Sequence, residues 1–248
     1  RKTVHTLVFI ALVGGVAVGA AGVMLAYPML TLVSSPPDVI DHATVYLRIY
    51  FCGIPFFMLY NFGASILRAA GDTQRPLVIL TIAGIVNVLL NLLFVVVFQL
   101  GVVGVGAATA ISQALSAALV ILLLMKEEGS LRLQWSEVRM EPQVLKEVLW
   151  AGIPAALQNA AFSLSNLAVQ SCINSLGSVV VAGDSASGSI EEIVYLGVNA
   201  CQQTCVVITS QNMGAKKYHN LNRVVGTSLM CSMTFSALMG LDVWLGGH

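Results

Sequence analysis

Charge is what this sequence has least of. Twelve basic and twelve acidic residues are spread over 248 positions, a charged fraction of 10%, against the roughly 25% usual in soluble domains. The formal net charge is zero, which removes the electrostatic case for a nucleic-acid partner. Cysteine chemistry is also missing. Cys52, Cys172, Cys201, Cys205 and Cys231 form no C-x-x-C pair, and Cys201 and Cys205 share a helix face with no histidine beside them. They read as small apolar packing residues. The four histidines (His5, His42, His219, His248) are scattered, so no metal site is indicated. Nor is there the nucleophile arrangement or Asp-rich loop that an intramembrane enzyme would need.

What is present is apolar: 57% of the residues are hydrophobic. No Asp, Glu, Lys or Arg occurs in 3–37, 49–67, 76–125, 148–183, 193–215 or 224–241. A membrane span needs about 20 mostly apolar residues, so this is an all-α polytopic membrane protein. As one helix, the window 76–125 would measure about 75 Å at 1.5 Å per residue. It therefore holds two spans, broken at Gln99-Leu100-Gly101. The reading is seven spans, near 7–33, 41–68, 76–98, 102–125, 147–173, 185–212 and 221–243.

With that count, Arg1, Lys2, Arg68, Arg75, Lys126, Arg132, Arg139, Lys146, Lys216, Lys217 and Arg223 fall on one face, and Arg48 is the exception. The opposite loops carry Asp38, Asp41, Asp184 and Asp242. The positive-inside rule places the first face, and the N-terminus, in the cytoplasm. The chain opens on Arg, closes as its seventh span ends and has no signal-peptide pattern, so it reads as a piece of a longer protein.

The polar break Leu67–Leu77 organises the first half. Gly71 suits the position after a helix C-terminus, where positive φ is required. Asp72 or Thr73 can accept hydrogen bonds from the amides of the next helix, and Pro76 suits its first turn. Pro55 permits a bend part way through the second span, as a static kink or a hinge, and Pro154 again interrupts the apolar pattern near the start of the fifth. Gly14, Gly15, Gly19 and Gly22 favour close helix contact. Residues 126–146 form the longest connection, with a short amphipathic helix opened by Glu141-Pro142 and Trp135 at the headgroup layer. This linker separates a bundle at 1–125 from a second at 147–248. A basic foot before a Gly/Ser-rich span, at Arg223 and again at Arg1-Lys2, is a weak repeat consistent with two copies of one bundle.

Polar residues inside the spans are the site candidates. Asn87 and Asn91 share a face at a spacing of four, and Thr109 could meet them in a hairpin. The set either lines a pocket or serves as interhelical glue. The fifth span carries Gln158, Asn159, Ser163, Ser165, Asn166, Gln170, Ser171 and Asn174, a row that hydrocarbon would not tolerate. It must face protein or water. Glu191 and Glu192 stand about two turns inside the sixth span, either in a cavity, where a raised pKa would let one carry a proton, or at the outer interface. Asn199, Gln202 and Gln203 extend the lining.

Three segments then resemble the multidrug and toxic-compound extrusion (MATE) transporters. They are Leu67-Arg-Ala-Ala-Gly-Asp-Thr-Gln-Arg-Pro76; Asn87-Val-Leu-Leu-Asn91 with Gly101-Val-Val-Gly-Val-Gly-Ala-Ala-Thr109; and Gly152-Ile-Pro-Ala-Ala-Leu-Gln158 with Ser210-Gln-Asn-Met-Gly-Ala-Lys-Lys-Tyr218. The resemblance implies a bacterial plasma-membrane protein of two six-helix bundles, of which this chain supplies helices 3 to 9. It also implies a monomer that exports small organic, often cationic, compounds in exchange for Na⁺ or H⁺, with no other cofactor. One family branch uses an Asn-x-x-x-Asp pair on helix 5 and a Thr on helix 6. Asn87 and Thr109 match, Asn91 replaces the Asp, and a Na⁺ would lie near these three. Another branch has a Glu in helix 7, where this chain has Phe162 and neutral amides. A cavity lined by Asn87, Asn91, Gln158, Asn159, Asn166, Glu191 and Gln202 is expected. The alternatives are a lipid-linked oligosaccharide flippase, which would need basic residues in its cavity, and a seven-helix receptor, whose N-terminus would lie outside.

Overall fold

The computed structural model describes residues 2–32, 37–175 and 178–246. The predicted outer loop at Pro36 lies outside them, with Arg1, His248 and the side chains of Asp38, Ser171 and Asn174. Among the described residues there are seven long helices: α1 (Lys2–Leu32), α2 (Pro37–Ala69), α3 (Gln74–Asn91), α4 (Gly101–Lys126), α5 (Pro142–Ser175), α6 (Ser178–Gly214) and α7 (Leu221–Gly246). All but α5 are long and apolar enough to cross a membrane by length and composition. α5 falls short because its amide and hydroxyl row dilutes the apolar run. It also continues without a break from Pro142, so the expected amphipathic segment is the first turns of this helix and not a separate element.

The chain divides into two compact units, 1–147 and 148–248. In the first, α2 packs against α1 and α4, and α3 packs on α4. The α1–α2 contact is backbone on backbone. A Cβ added to Gly15 would lie 2.7 Å from the Pro55 Cα, and one at Gly19 would lie 2.8 Å from the Phe51 carbonyl oxygen. That carbonyl is the one Pro55 leaves without its helical N–H partner, so the missing helical bond and the glycines occupy one place. Many large apolar side chains stay outside this core, Met24, Val97 and Leu92 among them, as a surface facing hydrocarbon requires.

The turn between α2 and α3 has the geometry its sequence predicts. Gly71 takes φ 95°. The Gly71 N–H donates to the Arg68 carbonyl at 3.0 Å and the Asp72 N–H to that of Leu67 at 3.0 Å, the paired bonds of a Schellman cap. Asp72 supplies the side-chain cap, accepting the Arg75 N–H at 3.1 Å, whereas Thr73 makes no cap bond. The Arg75 guanidinium also pairs with Asp72 and reaches the Glu127 carboxylate at the end of α4. Burial pushes the Asp72 carboxyl upward, but the hydrogen bonds from the Arg75 N–H and guanidinium outweigh it and hold its pKa below the ordinary carboxylate value. A depressed carboxylate pKa stabilises the fold above the unfolded value and loses that contribution as pH falls through the folded one. Asp72→Ala is accordingly expected to cost about 1 kcal/mol at neutral pH, with the difference from wild type vanishing below the ordinary carboxylate range. Unfolding midpoints measured across pH would check this.

The break in the 76–125 window also falls where expected. After Asn91 the helix widens into a π-helical turn, Leu92–Val97. Gln99 and Gly101 then take positive φ, 52° and 54°, and reverse the chain into α4.

The linker folds back onto its own unit. Leu133 is 2% exposed and joins the cluster of Val4, Val8, Leu67, Val120 and Leu124. Its N–H donates to the Leu124 carbonyl at 2.9 Å. Trp135 stays half-exposed. In the second unit α6 packs along α7. At Gly197 the Phe235 ring occupies the place of a side chain, 2.0 Å from where a Cβ would stand.

Candidate functional site

The first polar set sits between α3 and α4. Asn91 Nδ2 donates to both the carbonyl and the Oδ1 of Asn87, at 2.9 and 3.0 Å. Asn87 Nδ2 donates across to Ser112 Oγ at 3.1 Å, and the Ser112 hydroxyl donates to the Thr109 carbonyl at 2.9 Å. The Thr109 hydroxyl is spent on the Val105 carbonyl of its own helix at 3.0 Å. The two asparagines therefore meet the neighbouring helix through Ser112, one turn beyond Thr109. Spacing identifies the asparagine face but not its partner. The signal available for Ser112 is a small polar residue three positions after Thr109, on the same face of a Gly/Ala-rich helix.

This network has no formal charge, and its donors run in sequence to acceptors on the same two helices. A cation entering here would first have to displace the Asn91 amide from Asn87 Oδ1. Ser112→Ala should loosen the α3–α4 contact by about 1 kcal/mol, within the roughly 0.6 to 2 kcal/mol of interhelical bonds in membranes. Thr109→Val should change little, because its hydroxyl bonds its own helix. Denaturant midpoints of the two variants separate these roles.

The second polar set lies in the second unit, where α5 and α6 face each other across a cleft of about 480 Å³. Asn166 and Gln170 line it from α5 with Phe162, while Asp184, Glu191, Glu192 and Tyr195 line it from α6. The spacing of 184, 188, 191, 192 and 195 keeps these α6 positions on one helical face. Glu191 stands eight residues beyond Gly183, the first residue of the α6 segment whose length and composition suit a membrane span, about 12 Å along the helix axis at 1.5 Å per residue. Acids within such a segment are tolerated where they face a cavity, and this cleft is one. Of the predicted residues, Asn166, Gln170 and Glu191 come together here. Gln158, Asn159 and Gln202 are exposed and do not line the cleft. Sequence reasoning places Asp184 in an outer loop and makes no use of Tyr195. The four-residue step from Asp184 to Gly188 and the three-residue step to Glu191 are the signal for that face.

Among the described residues no group of three His, Cys, Asp or Glu is placed to hold a metal ion. A cavity of about 690 Å³ in the first unit lies between the start of α1, the end of α2 and the linker. Val4, Leu7, Phe62, Ile66 and Leu131 make it largely apolar, and it contains none of the predicted site residues.

Known proteins share both the sequence and the fold. The sequence profile of the MatE family matches residues 1–93 and 154–248. The probable multidrug resistance protein YpnP of Bacillus subtilis is 33% identical over 211 residues, covering 83% of this chain and 46% of YpnP. The FAD transporter of Shewanella oneidensis is 25% identical over 230 residues, covering 90% of this chain and 50% of that protein. Among solved structures, the Vibrio cholerae MATE transporter VcmN in the bent form superposes with a TM-score of 0.83 at 21% identity, covering 98% of this chain and 56% of VcmN. A MOP superfamily transporter from Pyrococcus furiosus gives 0.80 at 20% identity, covering 98% and 53%. The chain spans about half the length of the curated relatives it matches. The family is one of transporters rather than enzymes, and the apolar helices make this a multi-pass membrane protein. With its profile matched in both units and its fold shared with solved MATE transporters, the chain belongs to the MatE family.

Proposed function

We propose that the chain forms part of a secondary active exporter of small organic cations, driven by exchange for Na⁺ or H⁺ through alternating access. The observation that carries this reading is the α5–α6 cleft. Three carboxylates, two amides and two aromatic rings line one cavity. Carboxylates attract a cation, ring faces add a cation–π contribution, and the amides hold the polar groups of a bound compound. The apolar surround makes each interaction stronger than it would be in water.

The basic residues favour a cytoplasmic N-terminal end in the bacterial plasma membrane, and the protein acts as a monomer. The coupling ion exchanges with the substrate at the acids of the cleft, since the α3–α4 network is neutral. A flippase for lipid-linked sugar would need cations to meet its pyrophosphate, and this cleft is acidic.

The test uses the full-length protein in proteoliposomes loaded with a fluorescent organic cation. A Na⁺ gradient and a pH gradient are imposed separately. Movement driven by one of them is the expected result and identifies the ion. No movement under either gradient, with reorientation of a lipid-linked sugar instead, overturns the reading.

A further inference from the structure

His5 is 2% exposed near the start of α1, and its imidazole is engaged with the linker. Its Nε2 accepts the backbone N–H of Gln134 at 3.0 Å. The adjacent Thr6 hydroxyl donates to the Arg139 carbonyl at 3.3 Å and accepts the Glu141 N–H at 3.2 Å. Lys2 Nζ pairs with Glu141 at 3.1 Å. The first turn of α1 and residues 134–141 are thus stitched together around a small polar cavity of about 300 Å³. It is lined by Lys2, His5, Thr6, Glu137, Arg139 and Glu141, together with Ser136.

An imidazole nitrogen that accepts an N–H must carry its lone pair, so His5 is neutral in this arrangement. A proton taken up at Nε2 turns that acceptor into a donor pointing at the Gln134 N–H. The bond between the Gln134 N–H and Nε2 is lost. The Glu137 carboxylate stands 3.9 Å from the same nitrogen, close enough to replace the lost bond with a charge-assisted one. Of the other charged groups facing His5, Lys2 and Arg139 oppose protonation, and Glu141 favours it.

We propose that His5 is a proton-operated latch for the linker. In the neutral form the latch closes on the Gln134 amide, and in the protonated form it closes on Glu137, reseating the linker where α5 begins at Pro142. The latch uses none of the residues that line the α5–α6 cleft.

Hydrogen exchange of the full-length protein in nanodiscs tests it, read on peptides spanning 129–141 at pH 8 and pH 5.5 and corrected for intrinsic exchange. Protection of the Gln134 amide should fall about fivefold at the lower pH, the scale of one lost hydrogen bond. Glu137→Gln, at a half-exposed position, replaces the carboxylate by a neutral amide oxygen, so the charge-assisted bond to the protonated imidazole is lost and the pH-dependent fall in protection should shrink. His5→Gln keeps an acceptor that does not titrate and should abolish the dependence. Equal protection of the wild type at both pH values overturns the proposal. So does a fall that persists unchanged in Glu137→Gln, which decides the matter even where His5→Gln fails to fold.

Discussion

Alanine at Gly15 or Gly19 is expected to destabilise the first unit by about 1 to 3 kcal/mol each, the range for forcing extra atoms into a packed interface. Two effects compete. Ala is the better helix former by about 1 kcal/mol, which acts in its favour. Against it, the new methyl would stand 2.7 Å from the Pro55 Cα or 2.8 Å from the Phe51 carbonyl oxygen. Backbone atoms cannot rotate aside as a side-chain tip can, so α1 and α2 must separate along their contact. The clash wins. Gly14 supplies the control, because its added Cβ would meet only the Met58 Cε at 3.6 Å, an ordinary contact. Gly14→Ala should therefore be neutral or slightly stabilising. Thermal aggregation of the full-length protein in detergent, followed for the three variants, measures the contrast. Equal midpoints for all three would remove the close α1–α2 approach as a source of stability.

Glu191→Gln is expected to weaken transport of an organic cation by about 10- to 100-fold in apparent affinity, with membrane abundance near wild type. The magnitude follows from roughly 1.5 to 3 kcal/mol for a hydrogen bond to a charged group, at tenfold per 1.4 kcal/mol. The shape of the side chain is retained, so the loss reports charge. Asp184→Asn should act in the same direction, as both acids line the cleft. Gln202→Leu should have little effect, since that amide is exposed and outside it. Dose-response curves for a cationic dye in proteoliposomes distinguish these outcomes. An unchanged curve for Glu191→Gln removes this acid from the binding site.

Much of the fold was legible because membrane spans are written in one dimension. A charge-free window of sufficient length is a helix in hydrocarbon, where every backbone group must be paired within its own segment. The boundaries followed from local chemistry: Gly71 at positive φ, Asp72 as cap, and the Gln99–Gly101 break. The glycine face of α1 was legible for the same reason, since residues at helical spacing share a side whatever they meet.

What the sequence by itself determined, then, was which residues share a helix face. What only the tertiary structure decided was what each face meets. Asn87 bonds Ser112 and not the Thr109 side chain, because the partner depends on the axial register of α3 against α4. A shift of one residue rotates a helical position by about 100°. The same freedom determined that Asn166 and Gln170, but not Gln158 and Asn159, line the cleft with Glu191. His5 looked like one of four scattered histidines, yet it meets Gln134 and Glu137 across more than a hundred residues of chain. No spacing rule reaches that far. Periodicity fixes directions within a helix, and only packing between helices turns directions into contacts.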